Sequence, residues 1–552
     1  MGRGFDEDDA QLHTTANIGS ISSRTARRLI EPTLPTRLPS QSPGLAPERR
    51  WVSRLTVTPR VSHADFVLLP DTTRAITRLF VAGLEDVGAG RSRAPEVIDR
   101  VMQLPDDAVV RAMSDIEQRF DNRHQDLEKT FRYHAELMRP GIEADDSVSD
   151  ARKLLLGAAF THEYSIEGAS LCNPSAVVYP QPDDVDGDVR FVMSVRGIGE
   201  GHRSSVGFRT GVLKADGTVI VDEPAPYPIT AAAASGRNHR SVFEAKVVEV
   251  RDRELAAYVL DALPATFADA ELDNRIDMLA PEFATRRYAE STIAHLRTIA
   301  RSSYAVEFDP STELSQRVLW PQSPVEAHGI EDVRLVPFRD DSGDVTYYGT
   351  YTAFDGVHIA QHIIETRDFR TFDMSPVGGD AAIGKGLALF PRKVGGRYAA
   401  LSRSDRETNE VAFSDDLRCW NKAEVIQIPE QSWEILQLGN CGSPIETEAG
   451  WLVLTHGVGA MRTYSIGAIL LDLDEPHRVV SIASEPLISP DDHRRGGYVP
   501  NVVYSCGGFA HGDRLVIPYG IGDQRISVAT VSISDLLGSM QAVAPNESVC
   551  HP

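Results

Sequence analysis

Five times between residue 191 and the C-terminus the chain repeats one phrase: an apolar strand running into polar or aromatic residues, a turn, and an answering apolar strand. The copies are FVMSVRG (Phe191 to Gly197) with SSVGFRTGVL, VTYYGTYTAF (Val345 to Phe354) with VHIAQHIIET, RYAALSRSD (Arg397 to Asp405) with NEVAFSDDL, WLVLTHGVG (Trp451 to Gly459) with YSIGAILLDL, and RLVIPYGIGD (Arg514 to Asp523) with RISVATVSI. From the second onward they start about 53 to 64 residues apart, near the ~40 to 50 residues expected of a four-stranded blade. Each unit leaves an apolar face that only a neighbour can cover, so the repeat predicts an all-β, five-bladed β-propeller. The first interval, about 154 residues, must hold an insertion.

Outside the repeats the chain is not strand-like. Residues 1–48 are rich in Ser, Thr, Arg and Pro and read as a flexible N-terminal arm, loose or packed on a neighbouring subunit. Residues 49–160 read as an N-terminal strand and helical extension. In it Thr72 to Phe80 starts a short helix, and Met113, Ile116, Phe120, Leu127 and Phe131 share one 3.6-period face. The catalytic propeller would occupy 161–545, with a helical insertion at about 250–305 whose apolar set is Ile276, Leu279, Ile293, Leu296 and Ile299.

Charge narrows the partners. With 56 Lys and Arg against 79 Asp and Glu, the formal charge of -23 repels nucleic acid and anionic membranes, so neither is expected. An anionic substrate would need a local basic cluster. The stretch MGRGFDEDDAQLHTT lacks the apolar core of a secretory signal, and no apolar run is long enough to span a bilayer. Five scattered cysteines without Cys-x-x-Cys spacing argue for reduced thiols, no zinc and a cytoplasmic setting. The histidines show no metal-ligand spacing, and the Gly-rich GRGFDE, GEGH and GIGDQR lack the strand-turn-helix order of a nucleotide loop.

The inner strand of each blade lines the central channel, so residues near one mouth point at the axis. In register, the repeats bring Arg196, Tyr351, Arg403, His456 and Asp523 to that position. They converge on a ligand, or they stitch blades together by hydrogen bonds to backbone, as any polar group buried in a sheet must. In HGIEDVRLVPF, Asp332 and Arg334 fall on one face of a strand. Partial burial would hold Asp332 protonated as a general acid; a structural acid–arginine pair is the alternative. Arg392, Lys393, Arg397 and Arg403 make the third repeat basic, as an inorganic anion would require, although Arg392 and Lys393 also suit a solvated turn.

On CNPSAVVY, VRGIGEGHRSSVGFRTG, IEDVRLVPF, LFPRKVGGRYAALSRSD, SPIETEAGWLVLTHGVG, GYVPNVVYSCGG and VIPYGIGDQRISVAT, the chain resembles glycoside hydrolase family 130, the inverting β-mannoside phosphorylases and β-mannosidases. The match runs from about 165 to 540 in the family's order. The resemblance implies phosphorolysis of β-1,2- or β-1,4-linked manno-oligosaccharides or mannosyl-glucose to α-mannose 1-phosphate. Asp332 is then the proton donor, acting through the mannosyl 3-hydroxyl. Inorganic phosphate is the co-substrate, gripped by Arg196, Arg203, Arg397, Arg403 and His456, and no other cofactor or metal is implied. Asn173 and Asp523 would hold the mannosyl hydroxyls, with Glu331, Arg334, Tyr351 and Tyr498 beside the substrate. A homo-oligomer is also implied. GNCGSP (Gly439 to Pro444) and IPYGIGD (Ile517 to Asp523) depart from the commoner family pattern and leave linkage and acceptor open.

Two further readings stay open. A hydrolase would need a second carboxylate ~6.5 to 9.5 Å from the acid to activate water, for which Glu446 and Glu448 are nominated. A non-catalytic carbohydrate-binding propeller would keep aromatic platforms such as Tyr351, Trp433 and Tyr498 without needing Asp332.

Overall fold

The two strands of each of the five repeats pair antiparallel with one another, and further strands widen each pair into an antiparallel meander. The structure, a computed structural model, describes residues 59–84, 91–179, 187–491 and 495–543. The expected arm at 1–48 lies outside them.

The first meander joins Ser170–Val178, Val189–Ile198 and Ser204–Leu213, with Val219–Val221 on its edge. The second runs Gly329–Arg339, Val345–Phe354, Ile359–Thr366 and Thr371–Pro376, and the third Ala388–Leu389, Tyr398–Ser402, Asn409–Ser414 and Ala423–Gln427. The fourth contains Gln437–Asn440, Gly450–Gly459, Thr463–Leu471 and Val479–Ile482. The fifth is Val503–Tyr504, Arg514–Ile521 and Arg525–Ser532, and its outer edge is completed by Ser62–His63 from the other end of the chain.

These strands are apolar on both faces because each meander is covered on both sides. In WLVL, Trp451 and Val453 pack with Phe390 and Leu401 of the third meander, whereas Leu452 and Leu454 pack with Leu515 and Ile517 of the fifth. The same division recurs throughout. Val192 and Phe208 meet Ile330 and Leu335; Val336 and Phe338 meet Leu389 and Ala400; Val516 and Val528 meet Phe191 and Val195, joining the fifth meander to the first. Truncating a core leucine such as Leu452 to alanine would cost about 2–5 kcal/mol.

Two helical stretches flank the sheets. Ala94–Gln103, Asp106–Phe120, Leu127–Met138 and Asp150–Ala159 share a core of Val101, Met113, Phe131, Ala135 and Leu156. The expected single face from Met113 to Phe131 is split over two helices, because the chain turns at 121–126 and Asp126 takes a left-handed φ of 61°. Residues 75–79 form a strand and not the expected helix. Antiparallel pairing of Ala75–Leu79 with Thr161–Ser165 buries Ala75 and Ile76 and overrides a short, ambiguous apolar run. The second stretch starts earlier than expected, at Arg240, and ends at Ala300; its core holds Phe243, Leu255, Val259, Leu272, Leu296 and Ile299. No helix among the described residues is long and apolar enough to cross a membrane.

Candidate active site

Two β-bulges build the centre of the site. Pairing of the first strand of meander one skips from Cys172↔Arg196 to Ser175↔Ser194, and that of meander two from Glu331↔Thr352 to Arg334↔Thr350. Each skip inserts one extra residue and turns side chains out of strict alternation. Asn173 and Asp332 sit in these skips with left-handed φ of 48° and 55°, and Asp523, in the turn after Ile521, has 47°. Asn and Asp tolerate this region better than other side chains; it remains costly, and such outliers cluster where a side chain must be aimed.

The bulges bring the polar groups together. Asn173 Nδ2 donates to Asp332 Oδ1 at 2.5 Å, and Arg196 Nη1 donates to the same oxygen at 3.3 Å. Arg196 Nη2 reaches Glu331 at 2.5 Å, and Lys385 Nζ takes the other Glu331 oxygen at 2.6 Å. Arg334 donates to the Asp332 carbonyl at 3.0 Å, the Cys441 carbonyl at 3.1 Å and the Tyr504 hydroxyl at 3.0 Å. The bulge thus replaces the expected same-face pairing of the Asp332 and Arg334 side chains with an arginine that grips the backbone of its neighbour.

The electrostatics differ from the expectation of a protonated Asp332. Burial pushes its carboxyl up, but the charges of Arg196, Lys385 and Arg334 and the Asn173 hydrogen bond outweigh burial and hold it well below the ordinary carboxylate range. Asp523 shows the reverse. Burial, with the Asp332 charge adding to it, raises its pKa to about 6 against the pull of Arg196, Arg462 and Lys385. One site therefore holds two carboxyl groups pushed in opposite directions.

Beyond Asp332 lies a basic and aromatic wall. His456 is buried between Tyr464, stacked at 6.1 Å, and Tyr504, edge-on at 5.0 Å. Burial, with Arg403 and Arg334 nearby, drops its pKa well below the usual histidine value, so the imidazole is neutral. Gly439 is required here: a Cβ at that position would lie 2.6 Å from His456 Cε1 and 2.7 Å from Arg403 Cδ. Several buried polar atoms in this region lack a hydrogen-bond partner among the described residues: Arg196 Nε, Arg403 Nε, His456 Nδ1, Ser443 Oγ and both Asn440 amide atoms. Leaving such groups unmatched costs about 1–3 kcal/mol each, which a polyhydroxylated or oxyanionic ligand would recover.

Each meander contributes: Asn173 and Arg196, Glu331 and Asp332 with Arg334, Arg403, Asn440 and His456, Tyr504 and Asp523. Lys385 comes from the loop before Ala388–Leu389. Lys385, Asn440, Tyr464 and Tyr504 were not anticipated. A lysine flanked by glycines (Gly384, Gly386) and the Asn of GNCGSP were available as signals.

Other expected residues lie elsewhere. Tyr351 faces the opposite side of its strand, where its hydroxyl donates to buried Glu326 at 2.6 Å beside Tyr304; Thr350 and Thr352 are the residues that pair with Arg334 and Glu331. Arg397 is exposed and paired with Asp415 at 3.3 Å, and Arg203 stands 5.9 Å over the Trp320 ring. Glu446 is exposed and bound to Arg392 at 2.7 Å; Glu448 is exposed as well. Tyr498 is exposed with its hydroxyl 2.8 Å from His202 Nδ1, on a loop that Val499 N ties to the Gly522 carbonyl. Trp433 packs against Gly457 and Gly467. No group of three potential metal ligands occurs among the described residues.

A bulge-held carboxylate beside arginine, imidazole and tyrosine offers hydrogen-bonding partners to a polyhydroxylated or anionic ligand. A family model described as beta-1,4-mannooligosaccharide phosphorylase matches residues 283–542. The chain is 33% identical over 247 residues to a 1,2-beta-oligomannan phosphorylase of Thermoanaerobacter sp. (strain X514), covering 43% of this chain and 80% of that protein. It is 29% identical over 263 residues to the beta-1,2-mannobiose phosphorylase of Listeria innocua serovar 6a, covering 46% and 71%, and 32% identical over 248 residues to a second Thermoanaerobacter protein, a beta-1,2-mannobiose phosphorylase, covering 42% and 77%. The chain belongs to glycoside hydrolase family 130.

Proposed function

We propose that this protein is an inverting β-mannoside phosphorylase that converts a β-linked mannoside and inorganic phosphate to α-mannose 1-phosphate and a shortened acceptor. The observation that carries the reading is the Asp332 carboxylate, held by Asn173 and Arg196 of the first meander, beside Arg334, Arg403, His456 and Tyr504 from the other four. The pattern of shared cores, with the fifth meander returning to the first, supports a closed five-bladed propeller with the pocket on its axis.

In this reading the mannosyl ring lies against Asn173, Arg196, Glu331, Lys385 and Asp523, and Asp523, able to carry a proton near neutral pH, bonds a ring hydroxyl. Phosphate binds on the far side of the anomeric carbon against Arg334, Arg403, His456 and Asn440, where each charge-assisted contact is worth about 1.5–3 kcal/mol. Asp332 protonates the leaving oxygen through the mannosyl 3-hydroxyl as phosphate attacks and the configuration inverts. In the free site the nearby cations keep Asp332 ionised. A phosphate dianion offsets the fields of Arg334 and Lys385, and the sugar excludes water; both changes raise the affinity of Asp332 for its proton. Phosphate is thus nucleophile and also the charge that enables the acid.

Hydrolysis is the weaker reading, because the two glutamates nominated as its base are exposed and Glu446 is tied to Arg392. The relatives named above favour β-1,2-linked mannosides as first substrates. The test is to incubate the protein with β-1,2- and β-1,4-mannobiose with and without phosphate. Sugar phosphate formed only when phosphate is present is the expected result; free mannose at equal rates in both conditions overturns it.

A further inference from the structure

A second cationic group stands outside this pocket. Arg78 and His162 are directly opposite each other on the Ala75–Leu79 and Thr161–Ser165 ladder, so their side chains share a face. Arg203 joins them from the turn after the Val189–Ile198 strand. The Arg78 guanidinium is 4.6 Å and that of Arg203 5.9 Å from the centroid of buried Trp320, which is itself packed edge-on against Tyr164 at 4.8 Å. The Tyr164 hydroxyl pins the turn by donating to the carbonyls of Glu200 (2.9 Å) and Arg203 (3.0 Å).

Neighbouring arginines show what this group lacks. Arg74, on the same segment, is paired with Glu167 at 3.1 Å, and Arg209 with the same carboxylate at 2.7 Å. Neither Arg78 nor Arg203 has an ion pair or a guanidinium hydrogen bond among the described residues. Burial and then the like charge of Arg203 make Arg78 easier to deprotonate, and His162 is disfavoured as a cation by burial, Arg78 and Arg203. Glu200, exposed on the turn, opposes this at His162, and His134 behind it bonds the Thr161 hydroxyl at 2.7 Å. Two half-buried guanidinium groups held over one indole repel each other unless an anion lies between them.

The turn that carries Arg203 adjoins elements of the candidate active site. The Ile198↔Ser204 pair closes the hairpin that carries Arg196, roughly 7 Å of strand away. His202 of the same turn meets Tyr498, whose loop borders Asp523. We propose that Arg78, Arg203 and His162 form a second anion site, separate from the catalytic pocket, that takes a phosphate group, either free or carried on a sugar. Two planar forks and an imidazole match a tetrahedral dianion with three acceptor oxygens, where a carboxylate would be satisfied by one arginine. In a protein of formal charge -23 the site gathers phosphate against the overall field.

The proposal is independent of turnover and is tested by binding. Equilibrium dialysis of radiolabelled inorganic phosphate against the full-length chain, without sugar, is expected to give two sites. Arg203→Gln removes one, weakening it at least about tenfold, and leaves kcat at saturating phosphate unchanged; Arg403→Gln removes the other. Arg78→Gln is expected to remove the same site as Arg203→Gln; should it fail to fold, Arg203→Gln decides alone, because its side chain is partly exposed. Competition with α-mannose 1-phosphate distinguishes the source: displacement at a lower concentration than inorganic phosphate assigns the site to the sugar phosphate. A single wild-type site that survives Arg203→Gln overturns the proposal. A single site that is lost in Arg203→Gln and kept in Arg403→Gln upholds it while sinking the catalytic pocket as a phosphate site.

Discussion

Replacing Asp332 by Asn removes the carboxylate charge, and with it the ability to take up and deliver a proton, while keeping the shape of the side chain. Asparagine also tolerates the left-handed φ of 55° found there, so the bulge should persist. Arg196 loses its 3.3 Å contact but keeps Glu331 at 2.5 Å. Stripping a buried cation of all its partners costs about 3–5 kcal/mol; retention of Glu331 brings the expected loss of stability to about 1–3 kcal/mol. Catalysis should suffer more. Loss of a general acid lowers kcat by about 10² to 10⁴, a barrier increase of about 2.7–5.4 kcal/mol. The decisive assay compares initial rates of α-mannose 1-phosphate release from mannobiose with those from an aryl β-mannoside, whose phenolate departs without protonation. Asp332→Asn should lose about 10²- to 10⁴-fold on mannobiose and no more than about tenfold on the aryl substrate. Equal losses on both, in a protein whose Tm is near wild type, would make Asp332 a binding residue and refute the assignment.

Arg403→Gln and His456→Gln should each raise the KM for phosphate about 10- to 100-fold and leave the KM for mannoside nearly unchanged, as read from initial-rate kinetics with each substrate varied in turn. Asp523 binds its proton more tightly folded than unfolded, so its contribution to stability is fully present below pH about 4 and is lost as pH rises through about 6. Asp523→Asn should therefore flatten the decline in stability over that window by at most about 3 kcal/mol, measured by denaturant unfolding at several pH values. Glu446→Gln should change activity less than about twofold and stability by no more than about 1 kcal/mol, because it breaks an exposed ion pair; a large loss of phosphate-independent cleavage would revive the hydrolytic reading.

The strand repeats were legible because their signal is local: alternating and continuous apolar runs bounded by turns mark every meander, and the polar residues at their ends include Arg196, Arg403, His456 and Asp523. Tyr351 was misplaced by the same logic, since a shift of one residue along a strand exchanges its faces and the bulge at Asp332 sits beside it. Arg203 and Arg397 had the right charge in the right segments, but which way a turn residue points depends on what packs beneath it: Trp320 for one, Asp415 and solvent for the other.

The amino-acid order alone determined the strand periodicity and the family, and it nominated Asp332, because these rest on residues near one another in the chain. Tertiary structure decided the protonation of that carboxylate and the membership of its site. Lys385 and Tyr504 approach Asp332 from segments far apart in the chain, and the balance between burial and the fields of Arg196, Lys385 and Arg334 exists only when the meanders are brought side by side.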